Sequence, residues 1–403
     1  MESGVITAYD VPRTPMLLLA WLLGINLRAP LTASGPMLPL IMSDLRLSAT
    51  LAGAVTALPF LVIALVSIPG GLLSDAVGIR RMAIGGLLAV SLVGAGRGLA
   101  TTPGALLALL VALGAAVGLV QPTLGKIAQA SPAGPTMTTA VYTNGLNVGV
   151  LAASALSVPL LLPLVGRFSW RGVFVVWGFF GLITLVVWAV FMARMPLRPA
   201  PSPSADPAAP RARSGRILLP LVLIFAAQGA AFNGLLTWLP GYLVSRGFDL
   251  VRGSVALAAM SLASIVAALL VPKLAGSPPH YQRPFYLSSA LLIGGHLGLL
   301  ARPDLAAVWS AVAGLGIGLS FTYALALPAD LAPTAGVGTM VGMVLSLGYL
   351  GAVAAPLAMG ALRDLSGSLA PGIALLAGTG MIPAVAARAL PPARPRAVGV
   401  SGV

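Results

Sequence analysis

The sequence contains no cysteine among its 403 residues, and this absence excludes disulfide bonds, thiolate metal ligands and thiol redox catalysis. Charged residues are scarce as well, because they make up only 8% of the chain, against roughly a quarter in an ordinary soluble domain. Hydrophobic residues make up 58%. We therefore expect a membrane protein whose surroundings are the lipid bilayer rather than water.

The charges that are present are mostly positive and give a net charge of +14. In a soluble chain this excess would indicate a nucleic-acid partner. In a chain of apolar segments it reports topology instead, because cytoplasmic loops are enriched in Lys and Arg. The sequence also lacks a P-loop and a cluster of metal-ligating residues. We expect no nucleic-acid partner, no cofactor, no metal and no ATP-driven pump.

Long apolar segments follow one another along nearly the whole chain. Each is about 20 residues long, which lets a helix cross roughly 30 Å of hydrocarbon. The ten-residue alternation of a membrane barrel is missing. The first segment, which begins near Met16, is too long for the apolar region of a signal peptide, and we expect it to remain. The predicted spans are 16–40, 49–70, 82–100, 104–128, 136–163, 171–192, 216–243, 252–272, 284–301, 305–328, 335–361 and 369–390.

The two halves of the chain resemble each other at an offset close to 200 residues. GAAVG at 114–118 corresponds to GLGIG at 314–318, and Leu38–Pro39 corresponds to Leu239–Pro240. Two parallel six-helix repeats are typical of secondary transporters that hold their solute between the halves near the middle of the bilayer. The sequence therefore predicts an all-α membrane protein built from two six-helix pseudo-repeats.

A proline-rich basic stretch separates these repeats. We predict an N-terminal half at 1–193, a cytoplasmic linker at 194–215 and a C-terminal half at 216–403. With the amino terminus inside, most Lys and Arg residues lie in cytoplasmic segments. We therefore expect a multi-pass protein of the bacterial inner membrane, monomeric, with both termini in the cytoplasm.

The loop between the second and third spans reads GLLSDAVGIRR, from Gly71 to Arg81. It resembles the signature loop of the major facilitator superfamily, G-x-L-x-D-x-x-G-x-[RK]-[RK]. The resemblance implies a conformational latch rather than a substrate contact. In it Asp75 would accept hydrogen bonds beside the turn at Gly78, and Arg80 or Arg81 would pair with another helix. Lys126, near the cytoplasmic end of span four, resembles a lysine of that family and is assigned to the latch; the alternative is a lysine that snorkels to the interface.

Three further stretches give a narrower resemblance: NLRAPLTASGPMLP from Asn26, LLTWLPGYLVSRGF from Leu235, and GYLGAVAAPLAMGALRDLSGS from Gly348. They are similar to the cyanate/nitroimidazole porter family within that superfamily. The resemblance implies transport of a small anionic or polar solute, or export of nitroimidazole compounds.

Arg28 is the one charge that the predicted spans place near mid-depth, about 18 Å from the start of its helix. A charge there costs about 2.5 kcal/mol or more unless it faces a partner or a wet cavity. All nine acidic residues lie at loops or span ends, so no embedded carboxylate is available, and a carboxylate-driven proton cycle is not expected. The partner that we expect is an anionic substrate, held by the guanidinium. The alternative is a structural arginine that bonds to carbonyls near Pro30 or to side-chain amides.

Other polar and aromatic residues in the spans complete the predicted substrate site. For each of them the alternative is a hydrogen bond between helices or a place in the interfacial aromatic belt. They are Asn26, Thr32, Gln121, Asn144, Asn147, Gln228, Asn233, Trp238, Tyr323 and Tyr349. We expect His296 to be a packed histidine rather than a proton relay.

These features indicate a secondary transporter that moves a small anionic or polar solute by alternating access. Uniport, anion exchange and proton symport through the substrate or Lys126 all fit the sequence. The closest alternative is a multidrug or nitroimidazole-like exporter with a larger apolar pocket. A sensor that binds solute without transporting it is a third reading. An enzyme is not expected, because there are two histidines and no embedded acid to carry out acid–base or nucleophilic chemistry.

Overall fold

Twelve helical spans long and apolar enough to cross a membrane are found in the described part of the chain. The computed structural model describes residues 13–166, 169–193, 211–274, 282–331 and 337–390. Every regular element within these ranges is helical. The predicted all-α fold with twelve spans is therefore confirmed.

Eight spans consist of one α-helix, and four consist of two consecutive helices. The helices are α1 Arg13–Thr32, α2 Ser34–Leu45, α3 Ala49–Val77, α4 Ile79–Gly96, α5 Pro103–Val120, α6 Pro122–Ala130, α7 Pro135–Leu156, α8 Leu162–Val165, α9 Ser169–Ala193, α10 Arg211–Ser245, α11 Leu250–Leu274, α12 Arg283–Ala301, α13 Ala306–Leu331, α14 Val337–Ser366, α15 Ala370–Thr379 and α16 Ile382–Ala387. Span 1 is α1 with α2, span 4 is α5 with α6, span 5 is α7 with α8, and span 12 is α15 with α16. The remaining spans are numbered in chain order.

The ends of the helices follow from local sequence. Ser48 begins span 2, and its hydroxyl accepts a hydrogen bond from the N–H of Leu51. Thr102 caps span 4 in the same way, with Pro103 at the first helical position. Gly78 separates spans 2 and 3 at a φ of 86°, which a residue with a side chain rarely adopts. We call the end of the bundle that carries Gly78 the latch end, and the end that carries Ser48 the far end.

The sequence repeat at an offset of about 200 residues corresponds to a repeat in helix packing. Gly114 of span 4 lies against the backbone of Pro59 in span 2, and Gly314 of span 10 lies against the backbone of Met260 in span 8. A Cβ at either glycine would collide with that backbone. Small residues thus let the same pair of helices approach closely in each half.

The predicted linker at 194–215 differs from the structure at its carboxyl end. Helix α10 begins at Arg211, so residues 211–215 are helical and precede span 7, which begins at Ile217. Residues 194–210 lie outside the described residues. The division into halves at 1–193 and 216–403 stays a prediction that agrees with the packing repeat.

Candidate functional site

At the far end, the two halves are joined by hydrogen bonds from span 11 to span 2. The Asp364 carboxylate accepts from the N–H of Ala49 at 3.0 Å and from the N–H and hydroxyl of Thr50 at 2.8 and 2.6 Å. These N–H groups lie in the first turn of α3, where no carbonyl of the helix can reach them. Asp364 therefore caps a helix of the other half and keeps the far end closed.

Below this cap, a second contact between the halves seals the interior. The hydroxyl oxygens of Thr56 in span 2 and Thr237 in span 7 are 2.7 Å apart, and both residues are buried. The Ser254 hydroxyl of span 8 donates to the Ser154 carbonyl of span 5 at 2.8 Å. Contacts between spans 1 and 7, 2 and 11, and 5 and 8 complete this closure.

A cavity of about 390 Å³ lies between the halves toward the latch end. Spans 2, 4, 5 and 11 form its wall. Its polar lining consists of Ser67, Gln121, Tyr142, Ser346 and Tyr349. Ile68, on the same wall, is 74% exposed, although it belongs to an apolar helix. Among the residues predicted for substrate, Gln121 and Tyr349 are thus part of the cavity wall.

Arg28 lies beside this cavity rather than on its wall. Its guanidinium carbon is 5.2 Å from the centroid of the Phe60 ring, a cation–π distance. The Phe60 ring stacks on Tyr349 of span 11 at 6.1 Å and an interplanar angle of 28°. Within the described residues, the half-buried guanidinium has no ion pair and no hydrogen bond to protein. Its five N–H donors therefore have no protein acceptor in the part of the chain that the structure describes.

A second arginine, Arg97, carries out the structural role that was the alternative for Arg28. Its side chain is fully buried and donates to the Gly94 carbonyl at 3.2 Å, the Ser34 hydroxyl at 3.2 Å and the Pro30 carbonyl at 2.8 Å. Its guanidinium carbon lies 4.1 Å from the Phe174 ring centroid. Pro30 and Ser34 flank the interruption between α1 and α2. Arg97 of span 3 thus connects the end of α1 to the start of α2 through its hydrogen bonds.

This role of Arg97 was hard to predict from sequence. Arg97 falls close to the end of the predicted third span, where an arginine normally reaches water. Its position inside the apolar segment 82–100 was the one indication that it could be buried.

Two predicted site residues of span 1, Asn26 and Thr32, have hydrogen bonds within the N-terminal half and do not line the cavity. Asn26 is buried, and its amide donates to the Leu22 carbonyl at 2.9 Å and to the Thr184 hydroxyl of span 6 at 2.8 Å. Thr32 is also buried and donates to the Arg28 carbonyl at 3.0 Å. The Asn26–Thr184 bond joins two helices, as the alternative for Asn26 expected, whereas the Thr32 bond lies within α1. The assignment of both residues to the substrate site stays a prediction.

The remaining predicted residues are spread over both halves. Asn144 accepts a hydrogen bond from the Trp21 indole at 2.9 Å, and Asn147 is half-buried on the same helix. Trp238 donates to the Pro356 carbonyl at 2.9 Å. Buried positions are also found for Gln228, Asn233 and Tyr323. The Asn233 side-chain oxygen has no hydrogen-bond partner within the described residues, and the Tyr323 ring packs on Phe285 at 5.2 Å.

Two of the residues predicted for the latch, Asp75 and Lys126, form an ion pair beside the turn between spans 2 and 3. The Lys126 ammonium of span 4 lies 2.5 Å from an Asp75 carboxylate oxygen and 3.0 Å from the Gly71 carbonyl. Arg80 and Arg81 are exposed and have no ion pair within the described residues. The predicted pairing of Arg80 or Arg81 with another helix is therefore not seen in this part of the chain. The long side chain of Lys126 instead reaches back to Asp75 at the end of span 2, and the role of these residues as a latch stays a prediction.

His296 is fully buried in span 9, as expected for a packed histidine. Its Nδ1 lies 2.6 Å from the Leu292 carbonyl one turn earlier in the same helix. Span 9 does not contribute to the wall of the cavity between the halves. Within the described residues no group of His, Asp and Glu could hold a metal ion.

Comparison with known proteins places the chain in a large transporter family. Residues 17–356 match the family model described as Major Facilitator Superfamily. The cyanate transport protein CynX of Escherichia coli is 27% identical over 88% of this chain and 91% of its own length. The 2-nitroimidazole transporter of E. coli is 26% identical over 85% and 86%. The probable nitrate/nitrite transporter NarK2 of Mycobacterium tuberculosis is 29% identical over 86% and 89%.

Proposed function

The chain belongs to the Major Facilitator Superfamily and is a multi-pass membrane transporter of small solutes, and we propose that its substrate is a small anion carried by alternating access. The resemblance to the cyanate and nitroimidazole porters is confirmed at the level of sequence similarity. The anionic substrate is inferred from the site.

Arg28 is the observation that carries this proposal. A guanidinium inside a membrane span is costly unless it is paired or hydrated. Arg28 has an aromatic face beside it and no carboxylate, carbonyl or amide bonded to its N–H groups within the described residues. A small anion can accept hydrogen bonds from these N–H groups. Such bonds are charge-assisted, and the planar guanidinium fixes their geometry. The relatives named for cyanate and for nitrate and nitrite support this class of substrate.

The position of the cavity supports alternating access. The far end is closed by Asp364 and by the Thr56–Thr237 contact, whereas the cavity lies on the latch-end side of Phe60. Phe60 and Tyr349 belong to different halves, so their stack must separate or slide when the halves rock. The positive-inside distribution puts the latch end, and both termini, in the cytoplasm. The structure then corresponds to the inward-facing state of a plasma-membrane protein, which we expect to be bacterial and monomeric.

A second candidate substrate is a flat heteroaromatic compound such as a nitroimidazole. Tyr349 on the cavity wall contacts Phe60 and Phe225, and Phe225 in turn contacts Phe321. Such a cluster can stack on an aromatic ring. The relative named as a 2-nitroimidazole transporter supports this reading.

Flux measurements with purified protein separate the two candidates. Proteoliposomes are loaded with buffer and offered cyanate, nitrate or 2-nitroimidazole at alkaline pH, with protein-free liposomes as the control for leakage. We expect saturable uptake of cyanate or nitrate and competition between them. Saturable uptake of 2-nitroimidazole alone would favour the second candidate, and binding without flux would indicate a sensor.

A further inference from the structure

A second cavity, of about 380 Å³, lies between the halves at the far end. Spans 1, 7 and 11 form most of its wall, including Met42, Ser43, Trp238 and Arg363. Thr237 is also part of the wall, and its contact with Thr56 separates this cavity from the interior. We call it the outer cavity. It therefore occupies the place through which a solute would pass when the far end opens.

Arg363 is the charged residue in the wall of the outer cavity. Its guanidinium carbon is 5.7 Å from the Trp238 ring centroid, and its Nη1 is 3.6 Å from the Met42 sulfur. A thioether is a weak acceptor and an aromatic face carries no full negative charge. Within the described residues Arg363 has no ion pair. Its charge is held in place by packing. It acts electrostatically on the adjacent Asp364, but among the described residues no carboxylate oxygen lies within ion-pair distance of it.

The neighbouring acid does not fill this role. Both oxygens of Asp364 accept hydrogen bonds from Ala49 and Thr50 at the start of span 2. Those bonds fix the carboxylate on the cap of the other half. Arg363 and Asp364 are adjacent in sequence but serve different purposes, one facing the cavity and one closing the far end.

The other polar groups of the wall also favour an anion. The exposed hydroxyl of Ser43 is a donor with no hydrogen bond to protein within the described residues. The Ser245 hydroxyl already donates to the Tyr242 carbonyl at 2.7 Å. Among the described residues no carboxylate contributes to the wall, so the wall offers a small cation no full negative charge. A guanidinium and a hydroxyl together offer donors to one small inorganic anion.

We propose that the outer cavity is a capture site for small inorganic anions, used before the far end opens. This proposal rests on the proposed function, because it supplies the same class of substrate to Arg28. Span 1 connects the two sites: Arg28 and Met42 are fourteen residues apart, or about 21 Å along a helix. The positive charge of Arg363 would raise the local concentration of anions in the outer cavity, and that of Arg28 would attract them further along span 1.

The test uses the purified full-length protein and nitrate as the probe. Melting temperatures are measured across a nitrate titration, with sodium gluconate keeping the ionic strength constant. The proteins are the unmodified chain, Arg28→Ala, Arg363→Gln and the double variant. Arg252→Gln is the matched control, because Arg252 is an exposed arginine at the same end that lies over an aromatic ring, Phe248.

We expect Arg28→Ala to keep a nitrate-dependent stabilisation, and the double variant to bind nitrate at least about tenfold more weakly than Arg28→Ala. Arg363→Lys should restore part of it. If Arg28→Ala alone removes the whole effect, or if Arg363→Gln behaves like Arg252→Gln, the capture site is contradicted. If Arg363→Gln removes the whole effect while Arg28→Ala changes nothing, the capture site stands and the proposed role of Arg28 fails. An unmodified protein that nitrate does not stabilise contradicts both.

Discussion

The guanidinium of Arg28 lies over the ring of Phe60, 5.2 Å from its centroid, and that ring stacks on Tyr349 of the other half. The Arg28 charge is therefore in direct contact with the Phe60–Tyr349 stack, which joins the two halves. An anion bound to the N–H groups of Arg28 would offset its positive charge and so weaken its attraction to the Phe60 ring. Substrate binding can in this way loosen the Phe60–Tyr349 stack and bias the equilibrium between the two states of the transporter.

Asp75→Asn should slow turnover a few-fold and leave the equilibrium binding of substrate within a few-fold. The Asp75 side chain is 69% exposed, so its ion pair with Lys126 is weak. We expect this ion pair to affect the equilibrium between the two conformations of the transporter and not the substrate site. Turnover and binding are measured separately, by flux in proteoliposomes and by thermal shift. Lys126→Met should give the same result. Loss of binding in a folded Asp75→Asn protein would place Asp75 in the substrate site.

Asp364→Ala should open the far end more often. The change removes three hydrogen bonds between the halves, and a charge-assisted bond contributes about 1.5–3 kcal/mol. Because the chain has no cysteine, Thr237→Cys gives a single labelling position in the buried contact. We expect a membrane-impermeant maleimide to label it at least about fivefold faster with Asp364→Ala.

The control for this experiment is Asp249→Ala. Asp249 accepts from the Arg252 N–H at 2.7 Å, so it also caps a helix at the far end, but within one half. Its loss should leave the labelling rate nearly unchanged. Equal acceleration by both variants would mean that general loosening, rather than the closure by Asp364, controls access.

Arg97→Met should destabilise the protein more than any change at Arg28. It leaves the buried Pro30 carbonyl and Ser34 hydroxyl without their donor, and each unsatisfied buried group costs about 1–3 kcal/mol. Thermal unfolding in detergent should show a clear loss of melting temperature for Arg97→Met and a change of only a few degrees for Arg28→Ala. A larger loss of melting temperature for Arg28→Ala than for Arg97→Met would indicate that Arg28, and not Arg97, is the structural arginine.

The linker at 194–210 should be cut by trypsin from the cytoplasmic side only. Its arginines are part of the positive-inside distribution that sets the orientation. Right-side-out and inside-out vesicles make the comparison. Cleavage from the periplasmic side would invert the topology, and with it the assignment of the inward-facing state.

The fold was largely predictable because apolar segments of about 20 residues without ten-residue alternation cross a bilayer as helices. The repeat of glycines at 114–118 and 314–318 also predicted corresponding packing, since a small residue permits close approach wherever it recurs. The absence of any embedded acid predicted that Arg28 would lack a carboxylate partner. Each of these inferences depends on composition or spacing alone.

The neighbours of individual polar residues were not predictable. A membrane span is apolar on all sides, so its periodicity does not say which face meets another helix. Asn26 bonds to Thr184, 158 positions away in sequence, and Arg97 bonds across 67 positions to Pro30. Such pairings depend on the rotation of each helix about its axis, which a single sequence does not specify.

Uptake of cyanate by the Arg28→Ala protein in proteoliposomes tests the central claim most directly. Losing a charge-assisted pair worth about 1.5–3 kcal/mol corresponds to roughly a 10- to 150-fold loss of affinity. We therefore predict that transport falls to the level of protein-free liposomes while the melting temperature stays within a few degrees, and that Arg28→Lys transports weakly because it keeps the charge without the planar fork. Near-normal uptake and affinity in Arg28→Ala would contradict the account and favour the heteroaromatic substrate.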